Sequence, residues 1–177
     1  FLEGTGSIVF DHQNKVIYAA LSPRTNFELL NLVGEKLGYE VVSFTALGSK
    51  GELIYHTNVM LCIGEKFAVI GKQTITLADQ TKVIDSLKKG GKELILLNND
   101  QVYSHFAGNM LQVKSCIGET ILVMSQAALN SLSADQVAQL KKHNKHIVAP
   151  NLATIEKIGG GSARCMLAEV YVPKENV

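Results

Sequence analysis

The sequence predicts an α/β protein built from repeated ββαβ units, and three observations carry that prediction. Short apolar segments begin at Ser7, Asn58 and Asn109, a spacing of 51 residues both times, within the range of repeat architectures. Each is followed, across a polar turn, by a second apolar segment. A helical pattern and a third apolar segment then complete each unit.

In the first unit, Ser7-Ile8-Val9-Phe10 and Lys15 to Ala20 flank a turn at Asp11 to Asn14. Thr25-x-x-Glu28 has the spacing of a capping box, Phe27, Leu30, Val33 and Leu37 mark an apolar face, and Gly38 supplies a stop before the strand Glu40 to Phe44. The second unit pairs Asn58 to Leu61 with Lys66 to Ile70 around Gly64-Glu65; its helix carries Val83, Ile84 and Leu87 and ends at Gly90-Gly91 before Glu93 to Leu97. A one-turn helix between Asp100 and Phe106 leads into the third unit. There Asn109 to Gln112 and Thr120 to Met124 flank Gly118-Glu119, Ser133-x-x-Gln136 caps a helix, and His146 to Ala149 close the unit.

The units therefore run over about 1–51, 52–103 and 104–158, with 159–177 as the first strand, Cys165 to Tyr171, of a fourth. A partial ring leaves open strand edges, so its natural completion is a closed ring. The chain starts at Phe1, with a candidate site residue two positions in, and is expected to be the C-terminal part of a longer single domain. Missing N-terminal units would be its partners, with a homo-oligomer as a further possibility.

Composition narrows the class. A net charge of +1, 19% charged and 46% hydrophobic residues describe an ordinary soluble domain. No basic stripe interleaved with aromatics points to nucleic acid, and no long apolar run points to a membrane. Three irregularly spaced cysteines, Cys62, Cys116 and Cys165, argue for a reducing, cytoplasmic setting. No ligand spacing suggests a metal, and no cofactor is expected. Cys62 and Cys116, within or at the end of strands, are read as structural, and His12, His105, His143 and His146 as solvent-facing.

Polar residues collect at one phase of the repeat. Glu3, then His56 and Asn58, then Gly108-Asn109, and finally Cys165 stand at or just before successive strand starts. In a ring these starts converge at one end of the axis. A thiol, an imidazole and an orienting carboxylate are what nucleophilic attack on an electrophilic carbon needs. Gly159-Gly160-Gly161 ahead of Cys165 lets backbone approach a ligand closely.

Four motifs resemble the amidinotransferase and arginine deiminase (pentein) superfamily, whose fold is a five-fold α/β propeller ring of ββαβ modules. Leu2-Glu3-Gly4 is similar to its glutamate-glycine motif, and Ser22-Pro23-Arg24-Thr25 to its Ser-x-Arg-Thr segment. His56-Thr57-Asn58 is similar to its His-x-Asp motif, and Gly159 to Cys165 to its glycine-rich cysteine motif. About three of the five modules are present. The resemblance implies Cys165 as nucleophile, His56 as acid and base, Glu3 as its orienting partner and Arg24 as an anchor for a substrate carboxylate. Asn58, Asn109 and Gly160 are the remaining substrate-binding candidates.

Two departures stand out. Asn58 replaces the usual aspartate; an amide both donates and accepts, so it suits a neutral ureido group better than a guanidinium. Thr5-Gly6-Ser7 lacks the acidic residue often found after the glutamate-glycine motif. The pattern looks most like the citrulline-hydrolase branch, which implies hydrolysis of a C–N bond in a ureido or guanidino amino acid, citrulline favoured. The alternatives are amidino transfer to an amine acceptor and a non-catalytic binding role like that of ribosome anti-association factors, which resemble the same ring.

Overall fold

A computed structural model describes residues 1–169. It contains three small, three-stranded sheets, each with its first two strands antiparallel and its second and third parallel. A short helix α1 (Gly4–Ser7) precedes β1 (Val9–Asp11) and β2 (Val16–Ala20); α2 (Phe27–Leu37) then crosses to β3 (Glu40–Phe44). The second sheet is formed by β4 (Leu61–Ile63), β5 (Phe67–Ile70) and β6 (Glu93–Leu96), with α3 (Leu77–Lys89) as the crossover. After α4 (Asn99–Tyr103) come β7 (Leu111–Lys114), β8 (Thr120–Val123), two crossover helices α5 (Gln126–Ser131) and α6 (Ala134–His143), and β9 (His146–Val148). Helix α7 (Ala153–Gly159) leads into a 3-10 turn at Ala163–Met166.

The order strand, strand, helix, strand thus recurs as the sequence predicts, and its physical basis is visible in β2. All five of its residues are buried. Ile17 and Ala19 pack with Leu30 of α2 in one cluster, while Val16, Tyr18 and Ala20 join the larger core shared with the second and third sheets. A strand buried on both faces needs a continuous apolar run rather than alternation, and Val-Ile-Tyr-Ala-Ala supplies it.

The seams between units are polar as well as apolar. Asp11 of β1 reaches Lys92, just ahead of β6, at 3.0 Å, and both side chains are 1% exposed. The same ammonium donates to the carbonyls of Gly64 and Glu65, and Asp11 also accepts from the Asn14 backbone and side chain. At the next seam Glu93 accepts from Lys142 and His143, which hold its carboxyl below the usual carboxylate range.

Several expectations need correction. Asn26, not Thr25, caps α2, accepting from the Leu29 amide; Thr25 is held one position earlier in a turn with Ser22. Phe27 and Leu37 are about half exposed rather than part of the inner face. His143 is mostly covered, stacked on Phe67, and Cys116 is exposed in the β7–β8 turn.

The expected strand from Cys165 is not formed. Cys165 lies on the 3-10 turn instead, because its amide and that of Arg164 are taken by Asn109 Oδ1 and the amides of Cys165 and Leu167 close local turns. Val170 and Tyr171, the end of that expected strand, fall outside the described residues. Among the described residues no helix is long and apolar enough to cross a membrane.

Candidate active site

The polar residues of the repeat phase gather where the first strands begin, on irregular backbone just ahead of β1, β4 and β7. Glu3 is the residue before α1, and its carboxylate accepts from His56 Nε2 at 2.7 Å. His56 precedes a 3-10 turn at Thr57–Val59. Thr57 fastens that turn to the first unit, receiving the Ala20 amide and donating to the Ser7 carbonyl. Arg24 stands 3.6 Å from the same oxygen of Glu3 and remains about half exposed. The arginine therefore supplies a positive charge beside the carboxylate while keeping an open side toward solvent.

The second cluster surrounds the thiol. Asn109 is 1% exposed, and its carboxamide is fully engaged. Oδ1 accepts from the amides of Arg164 and Cys165 at 3.0 and 3.4 Å; Nδ2 donates to the Asn58 carbonyl at 2.9 Å and faces Cys165 Sγ at 3.3 Å. Asn58 Nδ2 lies 3.9 Å from the same sulfur and 3.3 Å from the Thr5 carbonyl. Asn58 Oδ1 is buried without a hydrogen-bond partner among the described residues. A buried acceptor left unpaired costs about 1–3 kcal/mol, and this one keeps its capacity to accept a donor. Gly160 ends α7 with φ of 66° and offers its carbonyl to Tyr55.

One contact chain thus runs Arg24–Glu3–His56 and another Asn58–Asn109–Cys165, joined through the Thr5–Gly6 backbone and the His56–Asn58 turn. Cys165 is solvent-exposed, which a nucleophile requires and a structural thiol does not. Cys62 is its opposite: burial pushes its thiol up to about 12, against a smaller opposing pull from Arg164. No group of three or more His, Cys, Asp or Glu side chains suited to a metal stands among the described residues.

Residues 1–172 match the model of the eukaryotic N,N dimethylarginine dimethylhydrolase family. The chain belongs to that family. Through it, the chain falls within the pentein superfamily. Among solved structures, it is similar to the arginine dihydrolase ArgZ of the cyanobacterial ornithine-ammonia cycle, at 18% identity and TM-score 0.76, covering 97% of this chain and 25% of that one. AgrE, solved with ornithine and NAD+, is similar at 17% identity and TM-score 0.75, covering 99% and 23%. The agmatine deiminase of C. jejuni follows at 15% and 0.55, covering 93% and 54%. The chain therefore spans about a quarter of the length of ArgZ and AgrE and about half that of the deiminase. No curated protein matches the sequence.

Sequence reasoning passed over two residues of this cluster. Tyr55 has no motif of its own beyond its place next to His56. Gly6 is packed so closely that a Cβ there would sit 2.8 Å from His56 Nδ1 and Cε1. The Gly6→Ala substitution is expected to push the imidazole off Glu3. With His56 as the acid and base that the resemblance implies, turnover of the full-length protein should fall by about 10²-fold, with the melting temperature within about 2 °C of the parent. Steady-state kinetics alongside a thermal melt check both halves.

Proposed function

We propose that the chain carries the reacting groups of a hydrolase that cleaves a C–N bond of a guanidino or ureido amino acid through a covalent Cys165 intermediate. The observation that supports it best is an exposed thiol approached by two buried carboxamides, next to a histidine paired with a carboxylate. The family match and the similarity to an arginine dihydrolase and an agmatine deiminase point to the same chemistry.

Each group then has a role. The thiolate adds to the planar carbon, forming the S–C bond. As the tetrahedral adduct collapses, the C–N bond breaks and His56 gives its proton to the departing nitrogen, which leaves as ammonia or an amine. Glu3 holds the imidazole in position and balances its positive form. Water, deprotonated by the neutral imidazole, attacks the same carbon and the thiolate departs. Arg24, with its exposed side, takes the substrate carboxylate. Glu3, Arg24 and His56 come from separate stretches, so the rest of the pocket would be furnished by further ββαβ units closing the ring.

The substrate we favour is a ureido one, citrulline, whose thiocarbamate intermediate would hydrolyse to a carbamate and then to ornithine and carbon dioxide. Asn58 supports this choice. Where a carboxylate would pair with a guanidinium, it presents an uncharged amide with one acceptor unspent. Ammonia release from citrulline and arginine by the full-length protein tests it. We expect kcat/KM to favour citrulline, and Asn58→Asp to shift the ratio toward arginine by about tenfold or more. A parent enzyme that prefers arginine would end the ureido reading while leaving the thiol chemistry intact.

A further inference from the structure

Tyr55 touches the Arg24 turn, the His56 ring and the glycine turn ahead of Cys165. Its carbonyl accepts from Ser22 Oγ at 2.8 Å, in the turn that carries Arg24. The Arg24 guanidinium lies 5.2 Å above its ring, close enough for a cation–π contact. Its ring is 4.9 Å from the imidazole of His56, tilted by 55°. Its hydroxyl donates to the Gly160 carbonyl at 2.9 Å.

That last bond joins stretches 105 residues apart, at a position with leverage on the thiol. Gly160 is the left-handed residue on which the chain turns out of α7. Gly161, next along, packs so tightly that a Cβ would meet Cys165 Cβ and Sγ at 3.2 Å. Nothing else in the described hydrogen-bond pattern ties Gly159 to Gly161 to the His56 side of the site. Burial pushes the Tyr55 phenol up, and a thiolate at Cys165 would add to that against the opposing charge of Arg24, so the hydroxyl remains a donor at neutral pH.

We propose that Tyr55 is a positioning residue: its hydroxyl clasps the glycine turn that delivers Cys165 onto the His56 turn, and its ring carries Arg24. The two ends of the side chain then act on different kinetic parameters. The hydroxyl sets where the thiol stands relative to the imidazole, which governs the chemical step. The ring sets where the carboxylate anchor stands, which governs substrate binding. This rests on the proposed roles of Cys165, His56 and Arg24, but the clasp itself is a mechanical claim with a readout of its own.

The test compares Tyr55→Phe and Tyr55→Leu in the full-length protein, using ammonia release and native-state trypsin cleavage at Lys157, in the α7 segment that the clasp would hold. Tyr55→Phe loses the hydroxyl bond alone; kcat should fall about tenfold with KM within about twofold, and cleavage at Lys157 should accelerate several-fold. Tyr55→Leu should show the same kcat loss and also raise KM about fivefold, because Arg24 loses its platform. A Tyr55→Phe enzyme with parental kcat and parental cleavage overturns the clasp, and a Tyr55→Leu enzyme with KM no higher than Tyr55→Phe overturns the platform. If the parent releases neither ammonia nor an amine from a ureido or guanidino amino acid, the proposed function fails, yet the cleavage rates still decide whether the hydroxyl holds the glycine turn.

Discussion

Cys165→Ala in the full-length protein is expected to lower ammonia release by on the order of 10⁴-fold or more, with little change in stability. The two halves of this expectation come from one geometry. The thiol is exposed, so truncating it leaves no cavity in a core. Its neighbours keep their principal bonds: Asn109 still receives the Arg164 and Cys165 amides and still donates to the Asn58 carbonyl. What disappears is the atom proposed to form the covalent bond. Cys165→Ser sharpens the experiment, since a hydroxyl occupies nearly the same place but is a far weaker nucleophile at neutral pH. Turnover that survives Cys165→Ser would end the assignment. Mass spectrometry of the parent, quenched during turnover, should show the substrate fragment attached at Cys165.

The largest expected effect on stability is Lys92→Met. Both charges of the Asp11–Lys92 pair are shielded from solvent, and removing one member of such a pair typically costs about 3–5 kcal/mol, because the other charge is left behind without its partner. The carbonyls of Gly64 and Glu65 lose a donor in the same step. Against a typical total of about 5–15 kcal/mol, this loss is large, and urea denaturation should display it as an early midpoint. The companion Asp11→Leu/Lys92→Met variant separates charge from packing. It should recover at least half of the lost stability, because replacing both members of a buried pair by apolar groups is far less costly than removing one. A double variant no more stable than Lys92→Met would move the explanation from the unpaired carboxylate to the lost carbonyl contacts.

The sequence made the repeat legible because its signal is strong and local: buried runs such as Val16 to Ala20 alternate with turns and capped helices at a fixed period. Ser133 and Gln136 form the expected capping box. Other features depended on competition between neighbours. Thr25 has the spacing of a cap, but Asn26 is also a good one, and the Ser22–Thr25 turn decides between them. Helix α7 was not anticipated, since Ile155 and Ile158 are partly or largely exposed and leave only a faint periodic trace beside three glycines. The fate of Cys165 was illegible for a different reason. Met166-Leu167-Ala168 has strand character, but the amides of Arg164 and Cys165 are claimed by a side chain 55 and 56 residues earlier.

The candidate site followed the same division. Shared repeat phase was enough to assemble Glu3, His56, Asn58, Asn109 and Cys165 on paper, and the structure brings Glu3 to His56 and both asparagines to the thiol. It also shows Asn109 committed to the protein's own backbone, a commitment that no spacing encodes. Tyr55 and Gly6 were invisible because their importance lies in contact distance and in the absence of a side chain.

The three sheets share no hydrogen-bonded ladder, and among the described residues only the isolated bridges Ala46–Ile75 and Leu47–Leu53 pair one unit with the next. Each sheet can therefore organise from contacts within its own stretch of chain, whereas the hydrogen bonds among Glu3, His56, Asn58, Asn109 and Cys165 span 51 to 107 residues. Long-range closures carry a higher entropic cost and form late. The arrangement makes chemical competence a report on assembly: sheets can exist while Cys165 and His56 are still apart, and the site appears only when the seams have closed.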